Sequence, residues 1–235
     1  MKMVDVLVIA LDLNGTLINW QLAFEHAYRQ AVREWLGRWI EEEEKEAAIA
    51  QMLDHYQTKR RQKYTKLHCI RSSLALLPFD AGRKTAAHIM EHISTLQQEH
   101  AEWVDGAENA LEQLAPHYRL VIATQLTSSK VDKVVRRLDI QRFVNKHDLF
   151  TADNINYLKS NPAFYRTIAS RLDVPARQCA MVGDSQKNDI ASATRAGWNT
   201  VWVHNKARRL SIRQQPRGRT MAQLTSMHLL PKLFL

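Results

Sequence analysis

A short apolar run near the N-terminus constrains the fold more than any other feature. Residues 4–11 are Val, Leu, Ile and Ala, interrupted only by Asp5. Such a run predicts a strand that is buried on both faces, as in a parallel sheet. Asp12 follows it directly, and the turn dipeptide Asn14-Gly15 ends the extended segment. The sequence therefore places polar side chains at the carboxyl end of a strand inside the sheet.

Strand-like and helix-like segments alternate in the second half of the chain. Short apolar runs predict strands over 120–123, 179–182 and 200–203. Helices are predicted over 107–114, 128–138, 162–172 and 189–196. This rhythm indicates an α/β fold, a Rossmann-like parallel sheet core with helices on both faces.

A long helical stretch separates the first strand from the rest of this core. Its only Gly or Pro residues, over 20–103, are Gly37, Pro78 and Gly82. We therefore predict an α/β core made of residues 1–18 and 103–235, interrupted by an all-helical insert over 19–102. An insert at this point is expected above the carboxyl ends of the strands, where α/β sheets bind ligands. A lid is the expected role.

The charge balance favours anionic partners. The chain has 33 Lys and Arg against 24 Asp and Glu, a formal net charge of +9. Much of the excess lies near the C-terminus, at Lys206, Arg208, Arg209, Arg213, Arg217 and Arg219. No aromatic residue interleaves these cations, so a stacking platform for single-stranded nucleic acid is absent. A solvated loop is the favoured interpretation, and no nucleic-acid partner is expected.

A second basic segment, Lys59-Arg60-Arg61 with Lys63, lies in the insert. A solvated helix face is the favoured interpretation. The alternative is that this segment recruits an anionic substrate to the lid.

Several features indicate a cytoplasmic protein without a membrane partner. No stretch is long and apolar enough to cross a bilayer. The first apolar run is too short for a secretory signal and lacks a cleavage pattern. Cys69 and Cys179 are too few for a disulfide framework and are predicted to be reduced thiols in the core.

Acidic residues follow two of the predicted strands. Asp12 follows the first strand, and Asp184 follows the strand at 179–182, with Asp189 five residues further on. Three carboxylates at one edge of a sheet repel each other unless a cation lies among them. Oxygen ligands suit magnesium, which shares its remaining positions with water and phosphate. The sequence therefore predicts a site for Mg²⁺ and a phosphate group.

The remaining polar residues at this edge fit phosphate chemistry. The Asp12 carboxylate is the candidate nucleophile, giving an aspartyl phosphate. The Thr124 hydroxyl and the Lys159 ammonium are predicted to hold the phosphoryl oxygens. Gln125 follows Thr124, and it either contacts the phosphate or caps the next helix.

These residues resemble the four motifs of the haloacid dehalogenase-like (HAD) hydrolases. Asp12-Leu13-Asn14-Gly15-Thr16-Leu17 is similar to the first motif, Asp-x-Asp-Gly-Thr-Leu. Thr124 resembles the second motif, Lys159-Ser160-Asn161-Pro162 the third, and Gly183-Asp184-Ser185 with Asn188-Asp189 the fourth. The motifs occur in the family's order, and the insert occupies the position of its helical cap.

The resemblance implies a role for each matching residue. Asp12 would be the nucleophile and a magnesium ligand, and Asn14 would give its backbone carbonyl to the metal. Asp184 would bind the metal directly, and Asp189 directly or through water. Ser185 and Asn188 would support that loop by hydrogen bonds.

One position departs from the family pattern. The second Asp of the first motif is the general acid and base in HAD phosphatases, and this chain has Asn14 there. An amide neither donates a proton at neutral pH nor accepts one as a base. Losing such a group costs about 10²–10⁴ in rate. The expected function is therefore a slow magnesium-dependent phosphatase acting on a small phosphorylated metabolite.

Two alternatives stay open. The first is a catalytically impaired protein that binds phosphate esters or acts as a regulator. The second is another HAD chemistry, carbon–halogen or phosphonate cleavage. A halide-releasing enzyme needs no metal, so the full acidic set argues against a dehalogenase. A phosphonatase needs a Schiff-base lysine from the cap, and Lys59, Lys63 and Lys66 are better explained as surface charges.

Overall fold

The computed structural model describes residues 2–37, 39–78, 82–204, 211–215 and 219–235. The chain divides into two compact units. One consists of Met1–Asn19 and Glu102–Leu235, and we call it the core unit. The other consists of Trp20–Ala101, and we call it the helical unit.

Within the described residues, the core unit contains one seven-stranded sheet. Its strands are β1 (Val8–Leu11), β2 (Arg119–Ala123), β3 (Leu149–Phe150), β4 (Cys179–Gly183), β5 (Asn199–Val203), β6 (Ser211–Gln215) and β7 (Arg219–Leu224). They are ordered β3-β2-β1-β4-β5-β7-β6. Every pair is parallel except β6 with β7. The predicted α/β class with a parallel sheet is confirmed.

The register of the central strands brings the functional loops to one edge. Leu11 pairs with Ile122 on one side and with Val182 on the other. All four residues of β1 are buried, which explains their continuous apolar sequence. Because the three strands run in parallel and end at the same level, the residues that follow them share one edge of the sheet.

The helices of the core unit are α5 (Ala107–Leu114), α6 (Ser128–Arg137), α7 (Pro162–Leu172), α8 (Ser192–Ala196) and α9 (Pro231–Phe234). Asn161 caps α7 by accepting a hydrogen bond from the backbone N–H of Ala163 at 3.0 Å. Pro162 occupies the first turn, where its missing N–H has no cost. The start of α7, three residues after Lys159, is therefore fixed by local chemistry.

The helical unit contains α1 (Trp20–Leu36), α2 (Glu42–Arg61), α3 (Lys66–Leu74) and α4 (Gly82–Glu99). Its core is apolar and includes the aromatic residues Phe24, Tyr28 and Tyr56 together with Cys69. Thr65 caps α3 by accepting a hydrogen bond from the backbone N–H of His68 at 3.2 Å. The cap role of this unit remains a prediction.

The helix predicted over 189–196 is present and ends at Ala196 as expected, but it starts earlier, as a π-helical turn over Gln186–Ala191 that becomes α8 at Ser192. Another local prediction is wrong. The basic segment near the C-terminus was expected to be a solvated loop. In the structure, Arg213 lies in β6 and Arg219 begins β7. Burial alternates along β7, as expected for a strand whose two faces have different environments. Lys206, Arg208, Arg209 and Arg217 lie outside the described residues.

Cys69 and Cys179 are buried free thiols, as predicted. Among the helices that the structure describes, none combines the length and the hydropathy needed to cross a bilayer.

Candidate active site

Asp12 lies at the end of β1, in the interior of the core unit. Its backbone N–H donates to the carbonyl of Val182 at 3.0 Å, which continues the pairing with β4 by one residue. The chain then turns sharply, and the carbonyl of Leu13 accepts hydrogen bonds from the N–H groups of Leu17 and Ile18 at 3.0 and 2.8 Å. Only 7% of Asp12 is exposed, so its carboxylate is held in a largely desolvated position.

Lys159 is the centre of the site. Its ammonium is 2.6 Å from Asp12 Oδ1 and 2.5 Å from Asp189 Oδ1. It also donates to the carbonyl of Ala123 at 2.8 Å. Only 2% of Lys159 is exposed. One buried cation therefore joins the ends of β1 and β2 to the loop after β4.

Three carboxylates converge beside this ammonium. Asp12, Asp184 and Asp189 each offer an oxygen within 4.8 Å of the others, with Asp184 exposed and the other two buried. Carboxylate oxygens of this kind are the ligands that Mg²⁺ and other hard cations prefer. Because one ammonium faces three carboxylates, a divalent cation would balance the charge. The donor set therefore fits a divalent metal.

The electrostatics of the cluster show the same imbalance. Burial, with a contribution from Asp189 and Asp184, raises the pKa of Asp12 to about 7 against the opposing effect of Lys159. The pKa of Asp184 is also raised, by burial and then by Asp189. Burial lowers the pKa of Lys159, but the two carboxylates in contact outweigh it and the net shift is upward. Lys159 therefore stays protonated.

The loop that carries Asp184 and Asp189 is held by its own polar groups. The backbone N–H of Ser185 donates to Asp189 Oδ2 at 2.9 Å. The Ser185 hydroxyl accepts from the backbone N–H of Asn188 at 3.2 Å. The Tyr165 hydroxyl donates to the carbonyl of Asn188 at 2.9 Å, and Trp202 Nε1 donates to the carbonyl of Asp184 at 2.9 Å.

Tyr165 and Trp202 are residues that sequence reasoning missed. Tyr165 lies on the buried face of α7, where an aromatic residue is ordinarily explained by packing. Trp202 does carry a signal, because it lies near the end of β5 and pairs with Gly183 of the neighbouring strand. Both side chains position the acidic loop through its backbone carbonyls.

Two glycines permit the close approach of the carboxylates. Asp189 lies so close to Gly183 that a Cβ atom added to Gly183 would be 2.3 Å from Asp189 Oδ2. Gly15 has a φ of +82°, and a Cβ there would lie 2.4 Å from Asp184 Oδ2. Both contacts are far shorter than a non-bonded carbon and oxygen allow, so these positions require glycine.

The other predicted residues occupy the same edge with different contacts. Thr124 is buried, and its hydroxyl oxygen accepts from the backbone N–H of Leu126 at 3.2 Å, which leaves the hydroxyl proton available. Gln125 is exposed. Asn14 is half-buried, and its Oδ1 is a buried acceptor without a partner among the described residues. The structure thus joins Asp12 and Asp189 through Lys159 and places Asp184 beside them.

We predict that Gly183→Ala displaces Asp189 and destabilises the protein. The added methyl group would overlap the Asp189 carboxylate, and overpacking of this kind costs about 1–3 kcal/mol. Urea denaturation measures the loss. Gly37→Ala is the matched control, because a Cβ there meets its nearest atom at 3.5 Å, an ordinary contact. Equal stability of the two variants would contradict the close approach.

We predict that the metal-free protein becomes less stable as the pH rises from 4 to 7. The pKa of Asp12 is raised from 3.8 to about 7 in the folded protein, so the folded state holds a proton that the unfolded state has lost. The stabilisation is complete below pH 4 and is lost as the pH rises through 7. Urea denaturation in EDTA at pH 5 and pH 8 measures it, and Asp12→Asn should reduce the difference by at least about 1 kcal/mol. An unchanged difference in that variant would refute the assignment to Asp12.

Comparison with known proteins gives the family. The family model of haloacid dehalogenase-like hydrolases matches residues 6–197. No curated protein matches the sequence significantly.

Solved structures share the fold over nearly the whole chain. YfnB of Bacillus subtilis, described as a candidate HAD-hydrolase and bound to magnesium, is 18% identical with a TM-score of 0.67, covering 96% of this chain and 98% of its own. A candidate β-phosphoglucomutase from Thermotoga maritima is 17% identical with a TM-score of 0.68, covering 97% of both chains. A 2-haloacid dehalogenase from Pseudomonas syringae is 18% identical with a TM-score of 0.59, again covering 97% of both.

At these identities the structural likeness establishes the fold alone, while the family model covers most of the chain and includes every predicted site residue. The chain belongs to the haloacid dehalogenase-like hydrolases.

Proposed function

We propose that the protein is a magnesium-dependent phosphatase that acts on a small phosphate ester through an aspartyl-phosphate intermediate on Asp12. The observation that carries the proposal is the contact of Lys159 with Asp12 and Asp189, with Asp184 completing the acidic cluster. We further propose that turnover is slow, because Asn14 replaces the carboxylate that would transfer protons.

The metal would be held by Asp12, Asp184 and Asp189, with the backbone carbonyl of Asn14 as a further ligand. Bound Mg²⁺ would offset the negative charge of the carboxylates and of the phosphate oxygens. The magnesium bound to the Bacillus subtilis protein supports this choice of ion. The deficit of positive charge around Asp12 supports it independently.

Asp12 would attack phosphorus with its second carboxylate oxygen. Lys159 contacts Oδ1, so Oδ2 lies outside that ion pair. The bond from phosphorus to the ester oxygen breaks as the bond to Asp12 forms, and the leaving alcohol then needs a proton. Water must later attack the aspartyl phosphate, and that step needs a base.

Lys159 and Thr124 would stabilise the transferring group. The Lys159 ammonium is fixed by three oxygen acceptors, so it needs no reorganisation when negative charge develops beside it. The Thr124 hydroxyl already accepts one hydrogen bond and can donate its proton to a phosphoryl oxygen. Gln125 follows it on the exposed side and would contact the phosphate or its substituent.

Asn14 sets the limit on turnover. Its unpartnered Oδ1 can accept a hydrogen bond from water, and so can orient that water without removing a proton. The cost relative to a carboxylate is about 10²–10⁴ in rate. Esters whose leaving group needs no proton, such as aryl and acyl phosphates, would escape most of the cost of the first step.

The same observation supports an alternative function. A complete phosphate and metal site without an acid or base fits a protein that binds a phosphate ester and turns it over little. Such a protein would act as a regulator or sensor. Carbon–halogen cleavage is the weaker alternative despite the Pseudomonas syringae neighbour, because that chemistry has no use for the acidic cluster.

We predict that Asn14→Asp raises the hydrolysis of alkyl phosphates by at least about tenfold, because it restores the proton donor and base. In the unsubstituted protein, aryl and acyl phosphates should be hydrolysed much faster than alkyl esters in the presence of Mg²⁺. A phosphate-release assay on both proteins, with a panel of phosphorylated metabolites, measures both effects. Equal rates on the two ester classes would contradict the assigned role of position 14.

Two controls sharpen this assay. Asp12→Asn should abolish turnover in either background, since the nucleophile is lost. The Asn14-Gly15 dipeptide is prone to deamidation, so mass spectrometry of the peptide that contains it must show the intact amide. Without that measurement, a small deamidated fraction would account for residual activity.

We predict that Mg²⁺ with a metal fluoride raises the melting temperature, whichever function applies. A ligand at about 100 times its dissociation constant stabilises the folded state by about 2.7 kcal/mol. Stabilisation without phosphate release would favour the binding function over the phosphatase. No stabilisation in the intact protein would remove the support for a metal and phosphate site.

A further inference from the structure

We infer that the helical unit has an anion-binding pocket of its own, suited to a small molecule that combines a ring with a phosphate or phosphonate group. A cavity of about 440 Å³ lies between α1, α2, α3 and α4, lined entirely by residues of this unit. Pockets for small organic ligands fall in the range of about 300–1,000 Å³. The inference does not depend on hydrolysis at the acidic cluster.

The cations of the pocket are Arg60, Arg61 and Lys66. Among the residues that the structure describes, no carboxylate joins them in the lining. The local sequence is similarly one-sided, because residues 55–79 contain six Lys and Arg and no Asp or Glu. Three positive charges at one cavity favour a dianion over a singly charged carboxylate.

Helix stability explains only part of this charge. Arg60 and Arg61 lie in the last turn of α2, where cations interact favourably with the helix dipole. Lys66 lies in the first turn of α3, where a cation is unfavourable, and that turn has no acidic residue. The placement of Lys66 is therefore not explained by the stability of α3.

Aromatic side chains also line the pocket. Phe24 and Tyr56 stack with their ring centroids 4.9 Å apart and an angle of 26° between the planes. Both are buried in the core of the unit, while Trp20, which also lines the cavity, is half-buried. Of these three, Trp20 is exposed enough to offer a flat apolar surface to a ring.

Three amide side chains complete the lining, and hydrogen bonds fix each of them. Glu25 Oε1 accepts from Gln21 Nε2 at 2.9 Å and from Gln57 Nε2 at 3.1 Å. Gln97 is 4% exposed and donates from Nε2 to the carbonyl of Trp20 at 3.1 Å. The polar groups are therefore already ordered, which reduces the entropy that a ligand must remove on binding.

Phenylphosphonate is the test ligand, because its carbon–phosphorus bond excludes hydrolysis. Isothermal titration of the full chain in EDTA removes metal from the acidic cluster, where unbalanced carboxylates disfavour an anion. We expect phenylphosphonate to bind at least about tenfold more tightly than methylphosphonate, which lacks the ring, and than benzoate, which carries one charge. Equal binding of the three, or no heat at about 10 mM phenylphosphonate, would overturn the inference.

Charge-neutral variants locate the binding. Arg60→Gln with Arg61→Gln should weaken phenylphosphonate binding by at least about tenfold. The matched control, Arg71→Gln with Lys84→Gln, removes two exposed cations of the same unit that do not line the cavity, and should change affinity by less than about twofold. Circular dichroism establishes that each variant is folded, and Lys66→Gln repeats the test at α3. Unchanged affinity in the Arg60/Arg61 variant would assign the anion to another site and refute the pocket.

Discussion

A buried ammonium holds the core site together. Lys159 is in contact with Asp12, with Asp189 and with the carbonyl of Ala123, and each of these groups belongs to a different segment of the chain. Taking a charge into a protein interior is costly unless partners of good geometry surround it, and removing one partner of a buried pair typically costs about 3–5 kcal/mol. The positions of β1, β2 and the loop after β4 are therefore coupled through one side chain.

Lys159 alone does not balance the negative charge of the site. Three carboxylates share one ammonium, and the glycines at positions 15 and 183 bring two of them closer than any other residue type would allow. A protein that only needed stability would separate such groups or neutralise them. Their proximity favours the binding of a cation, because a bound cation relieves the repulsion between the carboxylates.

The central part of this arrangement follows from sequence, because parallel strands end at one edge and the polar residues after Leu11, Ala123 and Val182 must meet there. The wider turn over Gln186–Ala191 does not follow, since π- and α-helical turns differ in hydrogen-bond partner and not in residue preference. The strands β6 and β7 were not predicted, because the arginines of this segment favoured a solvated loop; the alternating burial of 219–224 is visible only in the structure. Tyr165 has a polar role that only its hydroxyl contact reveals. The pocket of the helical unit depends on four helices meeting, which no local pattern encodes.

The entry and exit of the helical unit are paired within the core unit. Ile18 and Trp103 form an antiparallel bridge, and Asn19 N–H donates to the carbonyl of Glu102 at 3.0 Å. Pairing between core residues therefore brings the two ends of the stretch 20–101 together, shortly after the turn that follows Asp12. Because those ends are held side by side, the entropic cost of closing the loop between them depends only weakly on its length, so an insert of another length would be compatible with the same turn.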